Sequence, residues 1–155
     1  ASGVRPTIIS GCTISANEAP DGSGVRLFGT MPVSIERSIL SFNGTGSPLA
    51  LENGAAPTIA CCNIFGNLAG DALPAGAIDG GDNIFLNPVF CNAPWDPDPT
   101  LDASSPCLPG NHPGAAQCGL IGARTAGCGD TVQIEERTWG GIKANYLGDK
   151  KSNEE

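Results

Sequence analysis

Two groups of acidic residues are the first places where this chain could do chemistry. The first group is Asp79, Asp82 and Asn83, and the second is Asp96, Asp98 and Asp102. Carboxylate and amide oxygens are the ligands that Ca²⁺ prefers. Neither group has the EF-hand spacing, and Pro97 and Pro99 indicate a rigid turn. The sequence therefore predicts no bound metal or cofactor, and its weak calcium candidates are Asp79, Asp82, Asp96 and Asp98.

The seven cysteines are the second group with possible chemistry. Ten residues separate Cys107 from Cys118 and nine separate Cys118 from Cys128, whereas paired zinc ligands are two to four residues apart. Disulfide bonds formed in an oxidising compartment are the better interpretation, and they predict a secreted or cell-surface protein. For Cys12 and Cys62 a second interpretation is equally supported, in which each is a small buried apolar residue.

No catalytic residue emerges from the sequence. The single histidine, His112, lies in a loop between Asn111 and Pro113 without a nucleophile motif nearby, and we expect a solvated side chain. Cleavage of a polysaccharide by general acid–base catalysis needs gathered carboxylates. In the repeated segments described below, only Glu36 and Arg37 are charged. The interpretation therefore leans away from an enzyme.

The charge of the chain argues against nucleic acid as a partner. The net charge is −8 at pH 7, and residues 1–128 contain ten carboxylates, four Arg and no Lys. Such a surface repels phosphate backbones. The three Lys all follow residue 129, and this change in composition predicts a boundary near Gly129.

The ends of the chain and its hydropathy give further expectations. No segment approaches the roughly 18 consecutive apolar residues of a membrane helix, so we expect no membrane span. The chain begins at Ala1, and no basic segment followed by an apolar run opens it. We expect a mature product or a fragment.

An internal repeat predicts the architecture. Aligning the segments that end at Asn17, Asn43 and Asn67 gives periods of 26 and 24 residues. Three columns are apolar or small throughout, and they are Ile9, Ile35 and Ile59; Cys12, Ser38 and Cys62; and Ile14, Leu40 and Ile64. The second and third columns are two residues apart and therefore share one face of a strand. The intervening columns vary, and we expect most of them, including Thr13, Ile39 and Asn63, to point outward.

A second apolar pair recurs in the first two repeats, as Val25 with Leu27 and Leu49 with Leu51. Each repeat thus contains at least two short strands. A unit of about 25 residues buries its apolar face only when identical units stack. We therefore predict an all-β parallel solenoid.

The asparagine column predicts a ladder. Stacked Asn17, Asn43 and Asn67 side chains can hydrogen-bond to one another and tolerate the left-handed bend of a sharp corner. Asn43-Gly44-Thr45 is formally a glycosylation sequon. An Asn43 inside the ladder cannot accept a glycan, and we favour that interpretation.

These residues resemble the right-handed parallel β-helix repeat proteins of bacteria, in the non-catalytic, surface-associated branch of the pectin-lyase-like superfamily. The resemblance lies in the Ile-x-x-Cys-x-Ile-x-x-Asn segments ending at Asn17 and Asn67, in residues 83–91 and in residues 101–128. It implies a right-handed parallel β-helix of about three to four coils over residues 1–91, a C-terminal cap over residues 92–128 and a flexible tail over residues 129–155. It further implies that the chain starts inside the helix.

The cap is expected to be held by disulfides. Residues 92–128 contain few strand formers, and a bridge across the loop from Cys107 to Cys118 would hold them over the open end of the stack. Cys91 with Cys128 is the second candidate pair. In the tail, Trp139 to Tyr146 looks like a short C-terminal element of bacterial surface proteins, or else a poorly ordered turn.

The resemblance, together with the lack of paired carboxylates in the repeated segments, leaves two possible functions. The first is a non-catalytic extracellular module whose flat coils bind a cell-wall polysaccharide or a surface protein. The alternative is the C-terminal part of a polysaccharide lyase or glycoside hydrolase whose catalytic coils lie upstream. A column of Asp and Arg on upstream coils would favour the second.

Overall fold

The protein is all-β. The computed structural model describes residues 5–92, 98–114 and 116–129, which contain eleven short strands and no helix. No segment of these ranges could therefore cross a membrane as a helix. The strands are β1 (Thr7–Ser10), β2 (Thr13–Ser15), β3 (Val25–Phe28), β4 (Val33–Glu36), β5 (Ile39–Ser41), β6 (Leu49–Glu52), β7 (Thr58–Ala60), β8 (Asn63–Phe65), β9 (Ile78–Gly81), β10 (Leu101–Asp102) and β11 (Ala126–Cys128).

The strands form a parallel solenoid, as the repeat predicts. Four sheets run along it, with the orders β1-β4-β7-β9, β2-β5-β8, β3-β6 and β10-β11, and every strand pair is parallel. The solenoid has about five turns rather than three to four. Beyond the third repeat, Ile84 forms a parallel bridge to Asn63, and β10 pairs with β11 in the cap.

The register of the sheets confirms the predicted columns. Ile9 pairs with Ile35 and Ile35 with Ile59 in the first sheet, while Ile14, Leu40 and Ile64 align in the second. The members of the second and third coils are at most 1% exposed, as is Leu49 of the third sheet. These side chains form one core between the sheets. Each fully buried Leu or Ile contributes about 1.5–3 kcal/mol relative to its exposed state.

Two columns of left-handed residues make the corners of each coil. Gly11, Arg37 and Cys61 follow the strands of the first sheet with φ between 47° and 63°. Ala16, Phe42 and Gly66 follow the strands of the second sheet with φ between 54° and 70°. A non-glycine residue at such an angle costs roughly 1–2 kcal/mol, which the surrounding sheet hydrogen bonds must offset.

The C-terminal cap covers the outer face of the second sheet. Ile39 and Asn63 point away from the first core, as expected, but both are fully buried. Ile39 belongs to a second apolar cluster with cap residues, which include Leu101, Cys107, Cys118 and Ile121. Nδ2 of Asn63 donates to Sγ of Cys107 over 3.1 Å. Gly122 lies so close to Ile39 that a Cβ atom there would stand 2.6 Å from Ile39 Cδ1. The column therefore points outward as predicted, and the cap, which is not part of the repeat, buries it.

The disulfides differ in part from the prediction. Cys91 and Cys128 are bonded as expected, with a Cα separation of 5.7 Å. Cys118 is bonded to Cys61 rather than to Cys107, and their Cα atoms are 5.5 Å apart. Cys107 has a free thiol that is fully buried. The bridge therefore joins the cap to the third coil, and both of its cysteines lie in the second apolar cluster.

The remaining cysteines fit the apolar interpretation. Cys62 is fully buried and free, and Cys12 is half-buried and free. Both occupy the small inward column that Ser38 continues, and the Cys62 thiol lies 3.4 Å from the carbonyl oxygen of Ile35. Asp96 and the segment from Trp139 to Tyr146 lie outside the described residues.

Candidate functional site

The predicted asparagine ladder is present and has a direction. Asn17 donates from its backbone N and from Nδ2 to Oδ1 of Asn43, over 3.2 and 3.3 Å. Asn43 donates in the same way to Oδ1 of Asn67, over 3.1 and 2.9 Å. Nδ2 of Asn43 also donates to the carbonyl oxygen of Ile14, and Asn43 is only 1% exposed. The sequon asparagine is therefore held inside the ladder.

Asp71 ends the ladder. Its Oδ1 accepts hydrogen bonds from the backbone N of Asn67 at 2.8 Å and from Nδ2 at 3.0 Å. Its Oδ2 accepts the backbone N–H of Gly66 at 2.8 Å. Each of the first two asparagines therefore donates to the next one, and the third, Asn67, donates to a carboxylate. Sequence reasoning missed Asp71, although an acid four residues after the last ladder asparagine was a usable signal.

The outer face of the four-stranded sheet has half-buried or exposed side chains on every strand. Two outward rows cross it in register, and they are Ile8, Ser34, Thr58 and Ile78, and Ser10, Glu36, Ala60 and Gly81. Ile8 and Ile78, at the two edges, are 62% and 55% exposed. The two central strands contribute the small or hydroxyl side chains of Ser34, Thr58 and Ala60, together with Glu36. We call these eight residues the open face.

Two charged side chains, Glu36 of the open face and the neighbouring Arg37, lie on the side of the cap. Ser34 Oγ donates to Glu36 Oε1 over 2.6 Å, and Arg37 Nη2 donates to Ser10 Oγ over 3.2 Å. These hydrogen bonds hold the Glu36 carboxylate and the Arg37 guanidinium along the face. Between the face and the cap lies a groove of about 320 Å³, lined by Glu36, Arg37, Ala60, Cys61, Gln117 and Cys118. The groove offers both donors and acceptors to a polar ligand.

The acidic residues that the sequence offers as calcium ligands mostly accept hydrogen bonds from backbone N–H groups. Asp79 Oδ1 accepts the N–H of Gly81 at 2.9 Å and Nδ2 of Asn83 at 2.8 Å. Asn83 in turn connects this loop to the third coil. Its Oδ1 accepts a hydrogen bond from the N–H of Cys62, and its Nδ2 donates to the carbonyl oxygen of Ile59. Asp98 Oδ1 accepts the N–H of Thr100 at 3.2 Å.

The second acidic loop contains a similar bond. Oδ1 of Asp102 accepts the backbone N–H and the hydroxyl of Ser104, at 2.8 and 2.6 Å. These two hydrogen bonds lower the pKa of the Asp102 carboxyl below its ordinary value. Asp102 therefore fixes a turn next to β10.

His112 is not the solvated side chain that the sequence predicts. It is 8% exposed, and its Nε2 lies 3.0 Å from the carbonyl oxygen of Asp82. Its Nδ1 is buried and, among the described residues, has no hydrogen-bond partner. The ring packs the cap against the last coil, a role that a loop position between Asn and Pro does not reveal.

One group in the described ranges has the spacing of metal ligands. Ligand atoms of Cys61, Asp82 and Cys118 lie within 4.8 Å of one another. The two sulfurs are already bonded to each other, so they offer no thiolate to an ion in this state. Cys61 itself was missed as a disulfide partner. Its corner column contains Gly11 and Arg37, which shows that its side chain points outward, unlike that of Cys62.

Comparison of the chain with protein-family models, curated proteins and solved structures found no match in any of the three. The fold class is therefore argued from the strand pairing of this chain itself, and a function has to be inferred from its surface residues.

Proposed function

We propose that the protein is a non-catalytic, extracellular binding module that holds a neutral polysaccharide against the open face. The observation that carries this proposal is the contrast between the two larger sheets. Cap residues pack on the outer face of β2-β5-β8, whereas the outward side chains of β1-β4-β7-β9 are half-buried or exposed on all four strands. A flat surface of this kind suits an extended ligand better than a compact one.

The chemistry of the face supports a hydroxyl-rich ligand. Its central side chains are Ser34 and Thr58, which can exchange hydrogen bonds with sugar hydroxyls. Ala60 leaves room for a ring to lie close to the backbone, and Glu36 and Arg37 provide an acceptor and donors at the margin.

Charge favours a neutral polysaccharide over an acidic one. The chain has 16 carboxylates against 8 cationic residues. A surface of this sign repels pectate or alginate over roughly 8–10 Å at physiological ionic strength. The cell-wall ligand in this proposal is therefore a glucan, mannan or similar uncharged chain.

The two disulfides support an extracellular location, because such bonds persist in oxidising compartments. We also propose that the chain is a member of the non-catalytic bacterial branch of the pectin-lyase-like superfamily. The parallel solenoid and its asparagine ladder support this assignment.

A retention assay on insoluble polysaccharides tests the proposal. We expect the protein to be retained by at least one neutral polysaccharide and not by polygalacturonate, with no release of reducing ends. Thr58→Arg places a long charged side chain in the centre of the face and should weaken retention at least tenfold. Thr45→Arg, at an exposed turn position outside the open face, is the matched control and should bind like the parent.

Two results would contradict the proposal. One is equal retention of the parent and Thr58→Arg, which would place the ligand elsewhere. The other is steady release of reducing ends from a bound polysaccharide, which would make the protein an enzyme.

A further inference from the structure

The corner column that contains Gly11, Arg37 and Cys61 continues to Asp82 in the next coil. Cys61 and Asp82 each follow a strand of the first sheet, with left-handed φ angles of 52° and 56°. The N–H of Cys61 donates to the carbonyl oxygen of Gly81, directly before Asp82. Stacked positions of parallel strands lie about 4.8 Å apart. The corner therefore places a cysteine and an aspartate side chain next to each other.

Cys118 of the cap brings a third ligand type of side chain to this corner. The Sγ atoms of Cys61 and Cys118 and a carboxylate oxygen of Asp82 lie within 4.8 Å of one another. Asp82 is exposed, and its carboxylate has no hydrogen bond to any residue that the structure describes. The carboxylates of Asp79 and Asp102, in contrast, accept hydrogen bonds from their own loops. The carboxylate of Asp82 is thus available to a ligand.

Hydrogen bonds on the coil side hold this arrangement independently of the S–S bond. Asn83, next to Asp82, accepts the N–H of Cys62 at 2.9 Å and donates to the carbonyl oxygen of Ile59 at 2.8 Å. Both partners belong to the coil that contains Cys61. The position of Asp82 relative to Cys61 is therefore fixed by the backbone of the two coils.

Contacts on the cap side hold the remaining cysteine in place. His112 Nε2 lies 3.0 Å from the carbonyl oxygen of Asp82, and Sγ of Cys118 lies 3.9 Å from the same oxygen. The N–H of Gly122 donates to the carbonyl oxygen of Arg37 at 2.8 Å. Breaking the S–S bond should therefore leave the three side chains facing one another.

Two thiolates and a carboxylate are a ligand set for zinc. Zn²⁺ binds cysteine sulfur at about 2.3 Å and carboxylate oxygen at about 2.0–2.2 Å, whereas Ca²⁺ and Mg²⁺ prefer oxygen ligands alone. In a tetrahedral site two sulfurs lie roughly 3.8 Å apart. Rotation about the Cα–Cβ bonds can supply this separation once the S–S bond is broken, because the Cα atoms of Cys61 and Cys118 are 5.5 Å apart. Three protein ligands leave the fourth position to water.

The groove beside the open face gives an ion access to this corner. Both cysteines line the groove, and so does Glu36, whose carboxylate attracts a cation. Arg37 also lines it, but its guanidinium donates to Ser10 of the first coil, on the side away from Cys61 of the third coil. The net charge of −8 favours a cation in the same way.

We propose that Cys61, Cys118 and Asp82 form a redox-controlled zinc site, in which the disulfide and the ion are alternative links between the cap and the third coil. A dithiol supplies the two electrons that break the S–S bond, is itself oxidised to a disulfide, and leaves both cysteines as thiols. Zn²⁺ then forms two Zn–S bonds while the two thiol protons pass to water, and Asp82 supplies the third ligand. The site is independent of the polysaccharide proposal, because it needs none of the eight residues of the open face.

Metal binding to the reduced full chain tests the site. A water-soluble phosphine reduces the disulfides and is itself converted to its oxide with oxygen from water. The reduced and the oxidised chain are then titrated with Zn²⁺ and, in parallel, with Co²⁺. We expect one ion per reduced chain and none on the oxidised chain. The cobalt form should show thiolate-to-metal charge-transfer absorption, and X-ray absorption at the zinc edge should count two sulfur ligands.

Three variants locate the ion. Asp82→Asn removes the carboxylate ligand and should weaken Zn²⁺ binding at least tenfold, since even outer partners of metal ligands contribute about that much. Asp79→Asn is the matched control, because it makes the same charge change in the same loop and its amide oxygen can still accept the N–H of Gly81. It should bind like the parent. The double variant Cys91→Ser, Cys128→Ser lacks the other disulfide and should also bind one ion when reduced.

Three results would overturn the inference. A reduced chain that takes up no Zn²⁺, whether or not it stays folded, would mean that the corner holds no ion. Equal weakening by Asp82→Asn and Asp79→Asn would show that negative charge, and not coordination by Asp82, attracts the metal. Loss of binding in the variant without Cys91 and Cys128, or a count of four sulfur ligands, would place the ion on other cysteines.

Discussion

The carboxylate of Asp71 completes the asparagine ladder of Asn67, with its Oδ1 2.8 Å from the backbone N and 3.0 Å from Nδ2. Asn67 is only 6% exposed, so water cannot readily replace these bonds. Asp71 is thus the last acceptor of a hydrogen-bond chain that begins at Asn17.

Replacing Asp71 with Ala should destabilise the fold by about 2 kcal/mol, because the donors of Asn67 and Gly66 lose a charged acceptor. Glu18→Ala removes an exposed carboxylate that has no hydrogen bond to any residue the structure describes, and it should change the free energy of unfolding by less than about 0.5 kcal/mol. Urea unfolding of both variants measures the difference. Equal stabilities would show that Asp71 does not support the ladder.

The loss of unfolding free energy on replacing a ladder asparagine should depend on its position in the ladder. Asn43 is buried and uses both ends of its amide, so Asn43→Ala should cost about 3 kcal/mol. Asn17 is exposed at the end of the ladder, and Asn17→Ala should cost about 1 kcal/mol or less. Thermal unfolding ranks the two variants, and the reverse order would contradict the direction of the ladder.

The disulfide pairing predicts which peptides stay linked without reduction. Mass mapping should recover Cys61 with Cys118 and Cys91 with Cys128, and Cys107 as a free thiol. In the chain-entropy model, removing the first bridge with Cys61→Ser and Cys118→Ser should cost about 4 kcal/mol. A linked Cys107 peptide from native protein would refute the pairing.

The buried thiol of Cys62 makes stability depend on alkaline pH. Burial raises its pKa from 9.0 to about 11. The folded state therefore keeps the proton when the unfolded state has lost it, so this contribution is complete below pH 9 and is lost as the pH rises to 11. Below pH 9, iodoacetamide should leave Cys62 unmodified in the native protein.

Cys62→Ala removes this titration and provides the control. The stability advantage of the parent over Cys62→Ala should shrink by about 2 kcal/mol between pH 9 and pH 11. A constant difference over that range would mean that Cys62 does not titrate with a raised pKa.

The repeat made most of the fold predictable. The columns of Ile9, Ile35 and Ile59 reproduce the strand register residue by residue, because a stacked coil places equivalent side chains directly above one another. The asparagine ladder followed from the same alignment. Asp71 lay outside it, since the aligned segments end at Asn67 and Asp71 follows four residues later.

The cap could not be predicted in the same way. It is not part of the repeat, so its burial of Ile39 and Asn63 and its bridge to Cys61 depend on tertiary packing alone. For the same reason His112, which contacts the last coil at Asp82, looked like a loop residue. The open face was identifiable only after the cap had been placed on the other sheet.

The most direct test of the parallel stack is a set of interstrand nuclear Overhauser effects between coils. The register predicts contacts of Ile14 with Leu40 and of Leu40 with Ile64, at sequence separations of 26 and 24 residues, in the pattern of parallel strands. Observing these contacts would support the solenoid, its ladder and its open face together. Antiparallel contacts between the same segments, or contacts shifted by one residue, would contradict all three.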